Sequence, residues 1–172
     1  MRSIDKVSSA VCLLHSVDTY TAIVEVIEHC SVFSTIADRP SFIRQVIARE
    51  RLQSTGIGHG VAIAHGKVKG IEEVHIALGI SVEGVSYESP DHLPVHLLFV
   101  IASSKALQKE YLASLSAILR AVRSDRVRSL LLDLQHNQSK SAVRQFLSMM
   151  ESQHFTIQSN IPPQSTWSTA RS

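Results

Sequence analysis

The sequence predicts one mixed α/β domain in which helices cover a central β-sheet, and three observations predict it. Short β-branched, apolar runs recur at 11–14, 61–64, 74–80 and 95–101, the length and character of buried strands. Between and after them, apolar residues repeat at helical spacing. A chain of 172 residues, 44% hydrophobic and 19% charged, holds the apolar material for one sizeable core but is a tight fit for two.

The run at 11–14 reads as the first strand. Asp18 then stands at an N-cap position ahead of Ala22, Ile23, Val26 and Ile27, the stripe of a first helix. A second helix is expected over about 40–52, with Pro40 in its first turn and Phe42, Ile43, Val46 and Ile47 on its apolar face. Four of the seven glycines, Gly56, Gly58, Gly60 and Gly66, bracket Val61, Ala62, Ile63 and Ala64. That pattern predicts a helix stop, a tight glycine loop and a buried strand. Strands at 74–80 and 95–101 flank a turn-rich segment, 84–94. Beyond Ser103 the helical period returns through Leu107, Tyr111, Leu115, Ile118, Leu119 and Val122, and further helices are expected at 125–134 and 141–150. The domain is expected to span 1–155. The polar stretch 156–172 is expected to be a disordered tail.

Composition narrows the function classes. A formal net charge of +2 with no compact basic run gives no footprint for nucleic acid; the nearest such run, 120–128, is broken by Ala, Val, Ser and Asp. Cys12 and Cys30 lie in neither a CxxC nor a metal-ligand spacing, which points to a reducing compartment. Residues 1–6 lack the apolar core of a signal peptide, and no stretch of about 18 uncharged apolar residues occurs, so a soluble cytoplasmic protein is expected. Nine histidines raise a metal reading. His92 and His96 straddle Pro94 and enter a strand, however, which sets the rings about 13 Å apart. Neither a metal nor another cofactor is expected.

The segment 49–67 carries the chemistry. His65 lies between Ala64 and Gly66, so nothing beside it fills the space above the ring. Neutral imidazole is a competent nucleophile near pH 7. A glycine loop turns backbone N–H groups toward an anion, and Ser54, Thr55, Gly56, Gly58 and His59 are its candidate residues. Arg49, ending the preceding helix, has the forked geometry that suits phosphoryl oxygens. Nucleophile, cradle and guanidinium together suit receipt of a phosphoryl group. The segment does not match the G-x-x-x-x-G-K-[ST] loop of nucleotide-binding proteins.

Arg49-Glu50, then Ser54-Thr55-Gly56-Ile57-Gly58, then Gly60-Val61-Ala62-Ile63-Ala64-His65-Gly66-Lys67 resembles the signature of the phosphotransferase-system IIA domains of the fructose/mannitol and nitrogen-regulatory type. Supporting matches follow at 74–80, 94–99 and 111–115, and the resemblance covers roughly 4–152. It implies a mixed sheet flanked by helices and a phosphotransferase that works as a protein-histidine phosphoryl carrier. In that family the histidine takes its phosphoryl group from the phosphohistidine of the carrier HPr. It passes the group to a cysteine of a IIB domain, or holds it as a signal for a regulatory target protein. His65 matches the phosphorylated histidine and Arg49 the supporting arginine. Ile57, Val61 and Ile63 are candidates for an apolar rim that meets the donor.

Two positions depart from the family pattern. Ala64 replaces the proline that usually precedes the histidine, which restores an N–H and frees φ. Tyr111 stands where the family commonly has a second histidine; it either hydrogen-bonds the phosphoryl group or simply packs. His59 either compensates for that histidine or is an exposed loop residue, and Lys67 either adds charge beside His65 or is merely solvated. The absence of an attached IIB or membrane IIC segment suggests a stand-alone, nitrogen-regulatory arrangement. Alternatives are a sugar-specific component serving a IIB cysteine, and a binding module whose transfer is weakened or lost.

Overall fold

The computed structural model describes residues 11–136. Five strands form one sheet: β1 (Val11–Leu14), β2 (Gly56–Gly58), β3 (Val61–Lys67), β4 (His75–Val85) and β5 (Val95–Ser103). Four helices accompany it: α1 (Thr19–His29), α2 (Arg39–Leu52), α3 (Gln108–Val122) and α4 (Asp125–Asp133). The spatial order is β1-β4-β5-β3-β2, with β1 parallel to β4, β5 parallel to β3, and the other two pairs antiparallel. The sheet is therefore mixed, with β5 inserted between β3 and β4.

Three of the four helices start where a side chain satisfies a free N–H group. Asp18 accepts from the Thr21 N–H, Asp38 from the Ser41 N–H, and Ser124 from the Val127 N–H. The expected strand at 74–80 runs five residues further, to Val85, because its second half keeps pairing with β5 across a register shift. The expected glycine loop is instead a hairpin. Gly56–Gly58 pairs back onto β3 through a turn in which His59 and Gly60 have φ of 54° and 73°. The expected helix at 141–150, the tail and the domain limits lie outside the described residues.

Both faces of the sheet are covered. On β5, Leu98, Val100 and Ala102 face α1 and α2, while Leu97, Phe99 and Ile101 face α3 and α4. A central strand buried on both sides is why its sequence reads as one apolar run. Two glycines let the helices approach. A Cβ at Gly66 would lie 2.8 Å from Val46 Cγ2 on α2, and one at Gly79 would lie 2.6 Å from Val26 Cγ2 on α1.

Candidate phosphoryl-accepting site

The alternation of β3 places His65. Val61 and Ile63 share its face and are buried under α3 and α4, whereas Ala62, Ala64 and Gly66 face α2. One repeat past Ile63 the strand clears the core, and the imidazole is half-buried. Its Nδ1 lies 3.1 Å from the Ile63 carbonyl oxygen. A carbonyl only accepts, so Nδ1 carries the proton and Nε2 keeps its lone pair. The end of β2 makes that carbonyl available. The Ile63 N–H donates to the Thr55 carbonyl at 3.2 Å, so both polar groups of Ile63 face the outer edge of β3, where the β2 ladder has just ended.

Electrostatics keep the ring neutral. Burial pushes the His65 pKa below its ordinary value and the Arg49 charge adds to this, outweighing the Ile63 carbonyl and the Glu50 carboxylate, which act in the opposite sense. Arg49 occupies the last turn of α2, where its Nη1 donates to the Gln53 carbonyl at 2.8 Å. This bond uses one corner of the guanidinium, and its charge reaches both His65 and Tyr111. Tyr111, near the start of α3, sets its ring centroid 5.6 Å from that of His65 at a 44° tilt. It also packs against the core beneath α3, so it both packs and faces the His65 ring. Burial raises its pKa, opposed by the Arg49 charge, so its hydroxyl stays protonated at neutral pH.

A buried polar cluster fixes the turn that holds Arg49. Glu50 is 5% exposed; its carboxylate accepts the Thr55 N–H at 2.8 Å and the Thr55 hydroxyl. The Tyr87 hydroxyl lies 3.3 Å from the same Thr55 oxygen, and its pKa is driven up by burial and then by the Glu50 charge. Glu50 and Tyr87 were not expected here. The only signal for Glu50 was its place beside Arg49, since nothing in a sequence shows which face of a helix end meets the following turn.

The residues expected to cradle a phosphoryl group are placed otherwise. Gly58 and His59 lie at the far end of β3, separated from His65 by about 20 Å of extended chain. His59 therefore does not stand in for the missing second histidine; its N–H donates to Asp91 instead. Both donors of Thr55 are taken by Glu50, the Ser54 hydroxyl donates to the Glu88 carbonyl, and Gly56 packs against Glu88 and Ser89. The rim expectation also changes. Val61 and Ile63 are 0% and 3% exposed and belong to the core, while Ile57 is exposed. Lys67 is exposed two residues beyond His65 on the same face of β3. The structure thus gathers His65, Arg49 and Tyr111, keeps Ser54, Thr55 and Gly56 in the turn beside Arg49, and sets Gly58 and His59 apart.

Residues 8–149 match the family described as "Phosphoenolpyruvate-dependent sugar phosphotransferase system, EIIA 2". The chain belongs to this family. Among IIA-type relatives, it is 38% identical over 96 residues to the "PTS system fructose-specific EIIABC component" of Bacillus subtilis, covering 56% of this chain and 15% of that protein. It is 35% identical over 96 residues to the "Nitrogen regulatory protein" of Pseudomonas aeruginosa, covering 54% of this chain and 62% of that protein. The matched segments therefore span less than two thirds of either relative. Nitrogen regulatory protein IIA-Ntr from Neisseria meningitidis has the same fold, with a TM-score of 0.69 and 24% identity over 84% of this chain and 94% of that one. Among the described residues, no helix is long and apolar enough to cross a membrane.

Proposed function

We propose that the protein is a cytoplasmic phosphoryl carrier of the nitrogen-regulatory IIA type, phosphorylated on Nε2 of His65 by phospho-HPr. The observation that carries this reading is the His65 tautomer, with Nδ1–H spent on the Ile63 carbonyl and Nε2 left as the nucleophile. The Nε2 lone pair attacks phosphorus in line. The N–P bond of the donor histidine breaks, and its electrons return to the donor ring. The His65 ring then carries positive charge, which strengthens its Nδ1–H bond to Ile63. The Arg49 fork and the Tyr111 hydroxyl offset charge on the phosphoryl oxygens. Bonds form and break between two imidazoles, so the step requires neither nucleotide nor metal.

Tyr111 favours a regulatory role over passage to a sugar-linked IIB cysteine. A neutral phenol neither carries positive charge nor moves a proton near pH 7. The phosphoryl group would then sit on His65 as a charge of about −1.5 to −2, able to switch contact with a target protein. The test is a relay of phosphoenolpyruvate, enzyme I and HPr, read by intact mass. Acid-labile, alkali-stable phosphate is expected on the wild type and none on His65→Ala. Arg49→Gln should slow loading by about 10²-fold or more. An unloaded wild type beside charged HPr would overturn the carrier reading. Rapid discharge to a fructose- or mannitol-type IIB domain would replace the regulatory role with the sugar-specific one.

A further inference from the structure

Glu50 is a buried charge that the transfer step above leaves without a task. It is 5% exposed, and among the described residues no basic side chain pairs with it. Its partners are neutral donors: the Thr55 N–H at 2.8 Å, the Thr55 hydroxyl, and the Tyr87 hydroxyl of the same cluster. Burying a carboxylate without a cation is unfavourable, and glutamine would fill the same space without that penalty. The charge therefore calls for a use.

A chain of contacts leads from it to the His65 ring. Thr55, gripped twice by Glu50, accepts the Ile63 N–H on its carbonyl at 3.2 Å. The carbonyl of that same Ile63 lies 3.1 Å from His65 Nδ1. Thr55 and Ile63 thus tie the carboxylate to the ring. Each link passes through a Cα and not across one peptide unit, so it transmits position rather than bond polarisation. The chain ends on Nδ1 and leaves Nε2 free. Glu50 also neighbours Arg49 in the last turn of α2. Its grip on Thr55 steadies the turn between them, and with it the Gln53 carbonyl that holds Arg49 Nη1.

Charge acts beside position. Burial and the Arg49 guanidinium lower the His65 pKa, whereas the Ile63 carbonyl and the Glu50 carboxylate raise it. The other groups beside the ring are the neutral Tyr111 on α3 and Lys67, exposed two residues further along β3. Of Arg49, Lys67 and Glu50, only Glu50 favours a cationic ring. We propose that Glu50 is a positioning residue: through Thr55 and Ile63 it fixes His65 as the Nδ1–H tautomer, and its charge stabilises the cationic ring formed when Nε2 takes a phosphoryl group. The second part rests on the carrier reading; the first does not.

The first part is tested without phosphate. Proton–nitrogen NMR of the histidine rings in the full chain, above the His65 titration, should show the wild-type ring protonated at Nδ1. Glu50→Gln keeps the size of the side chain and an acceptor for the Thr55 N–H, but loses the charge and one of two acceptors. It should populate the Nε2–H tautomer and move the His65 titration to lower pH. Thr55→Val retains the carboxylate and the backbone bonds but loses the hydroxyl. It should populate the same tautomer with a smaller titration shift, and it decides the question alone if Glu50→Gln does not fold. A wild-type ring protonated at Nε2, or an unchanged tautomer in every variant that folds, would overturn the positioning role even where the urea midpoint falls. For the second part, the relay of phosphoenolpyruvate, enzyme I and HPr is run at varied HPr. Glu50→Gln should lower the maximal loading rate about tenfold and leave the half-saturating HPr concentration unchanged, because a buried carboxylate does not touch the donor. An unchanged maximal rate would overturn the role of the charge. A wild type that takes no phosphate beside charged HPr would remove the carrier reading and the second part with it, while the tautomer still decides the first.

Discussion

On the proposed carrier function, a single residue is expected to set how long a phosphoryl group stays on His65. Tyr111 faces His65 with a neutral hydroxyl, where an imidazole would provide charge and a mobile proton. Tyr111→His should therefore exchange phosphate with HPr faster, by about 10- to 100-fold if the new ring acts as a general acid–base. Tyr111→Phe keeps the packing and loses only the hydroxyl, so it should load more slowly while melting at nearly the same temperature. Equal loading and discharge rates across wild type and both variants would reduce Tyr111 to a packing residue. The sequence singled out His65, Arg49 and Tyr111 through their match to positions of the resembled family, and the fold brings the three together. The partner that fixes the tautomer was invisible, because every residue has a carbonyl and only the ending of β2 singles out that of Ile63.

At the scale of elements, the site depends on how closely α2 lies on β3. Ala62, Ala64 and Gly66 give the helix a shallow bed, and it carries Arg49 at its end. Gly66→Ala would place a Cβ 2.8 Å from Val46 Cγ2 and 3.2 Å from the Val46 backbone nitrogen. The side chain can rotate but the helix backbone cannot, so α2 must shift outward. A loss of about 1–3 kcal/mol in a urea melt is expected, with a fall in phosphorylation rate as Arg49 moves off its mark. Wild-type stability with full activity would show that the bed has slack. The strands and helices themselves were legible, since β5 is apolar throughout and α3 repeats at helical spacing. The glycine segment was not. Gly56, Gly58 and Gly60 signal a bend equally well as a loop or as a hairpin, and only pairing across to β3 distinguishes them.

For the whole molecule, acidity sets stability through two sheltered rings, half-buried His65 and buried His75. Burial lowers the pKa of both His65 and His75 from the model-peptide value of 6.5. Below about pH 6.5 the unfolded chain takes up protons that the folded chain resists, so stability is fullest above that value and is lost as pH falls through the folded values. The carboxylates work in a lower window. For Glu25 burial opposes ionisation, but hydrogen bonds from Ser16 and His15 outweigh it, and its contribution disappears only on acidification below about pH 4.5. Urea midpoints taken from pH 7.5 to 5 should therefore decline, and His65→Gln should decline less. A flat wild-type profile would mean that these rings accept protons freely in the fold. The charge total gave no hint of this behaviour, because a histidine's surroundings matter more here than its number.

The parallel pairing of β1 with β4 joins Val11 to Leu78, so β1 leaves the ribosome long before its one neighbour among the described strands exists. At about 5–20 residues per second, roughly 3–13 s pass before β4 begins to emerge. Hairpin β2–β3 is synthesised whole within that interval and closes on its own schedule. During that wait the nascent chain holds Cys12, Leu13 and Leu14 in the open, and chaperone capture or mispairing of this segment is the hazard that its place in the sheet creates.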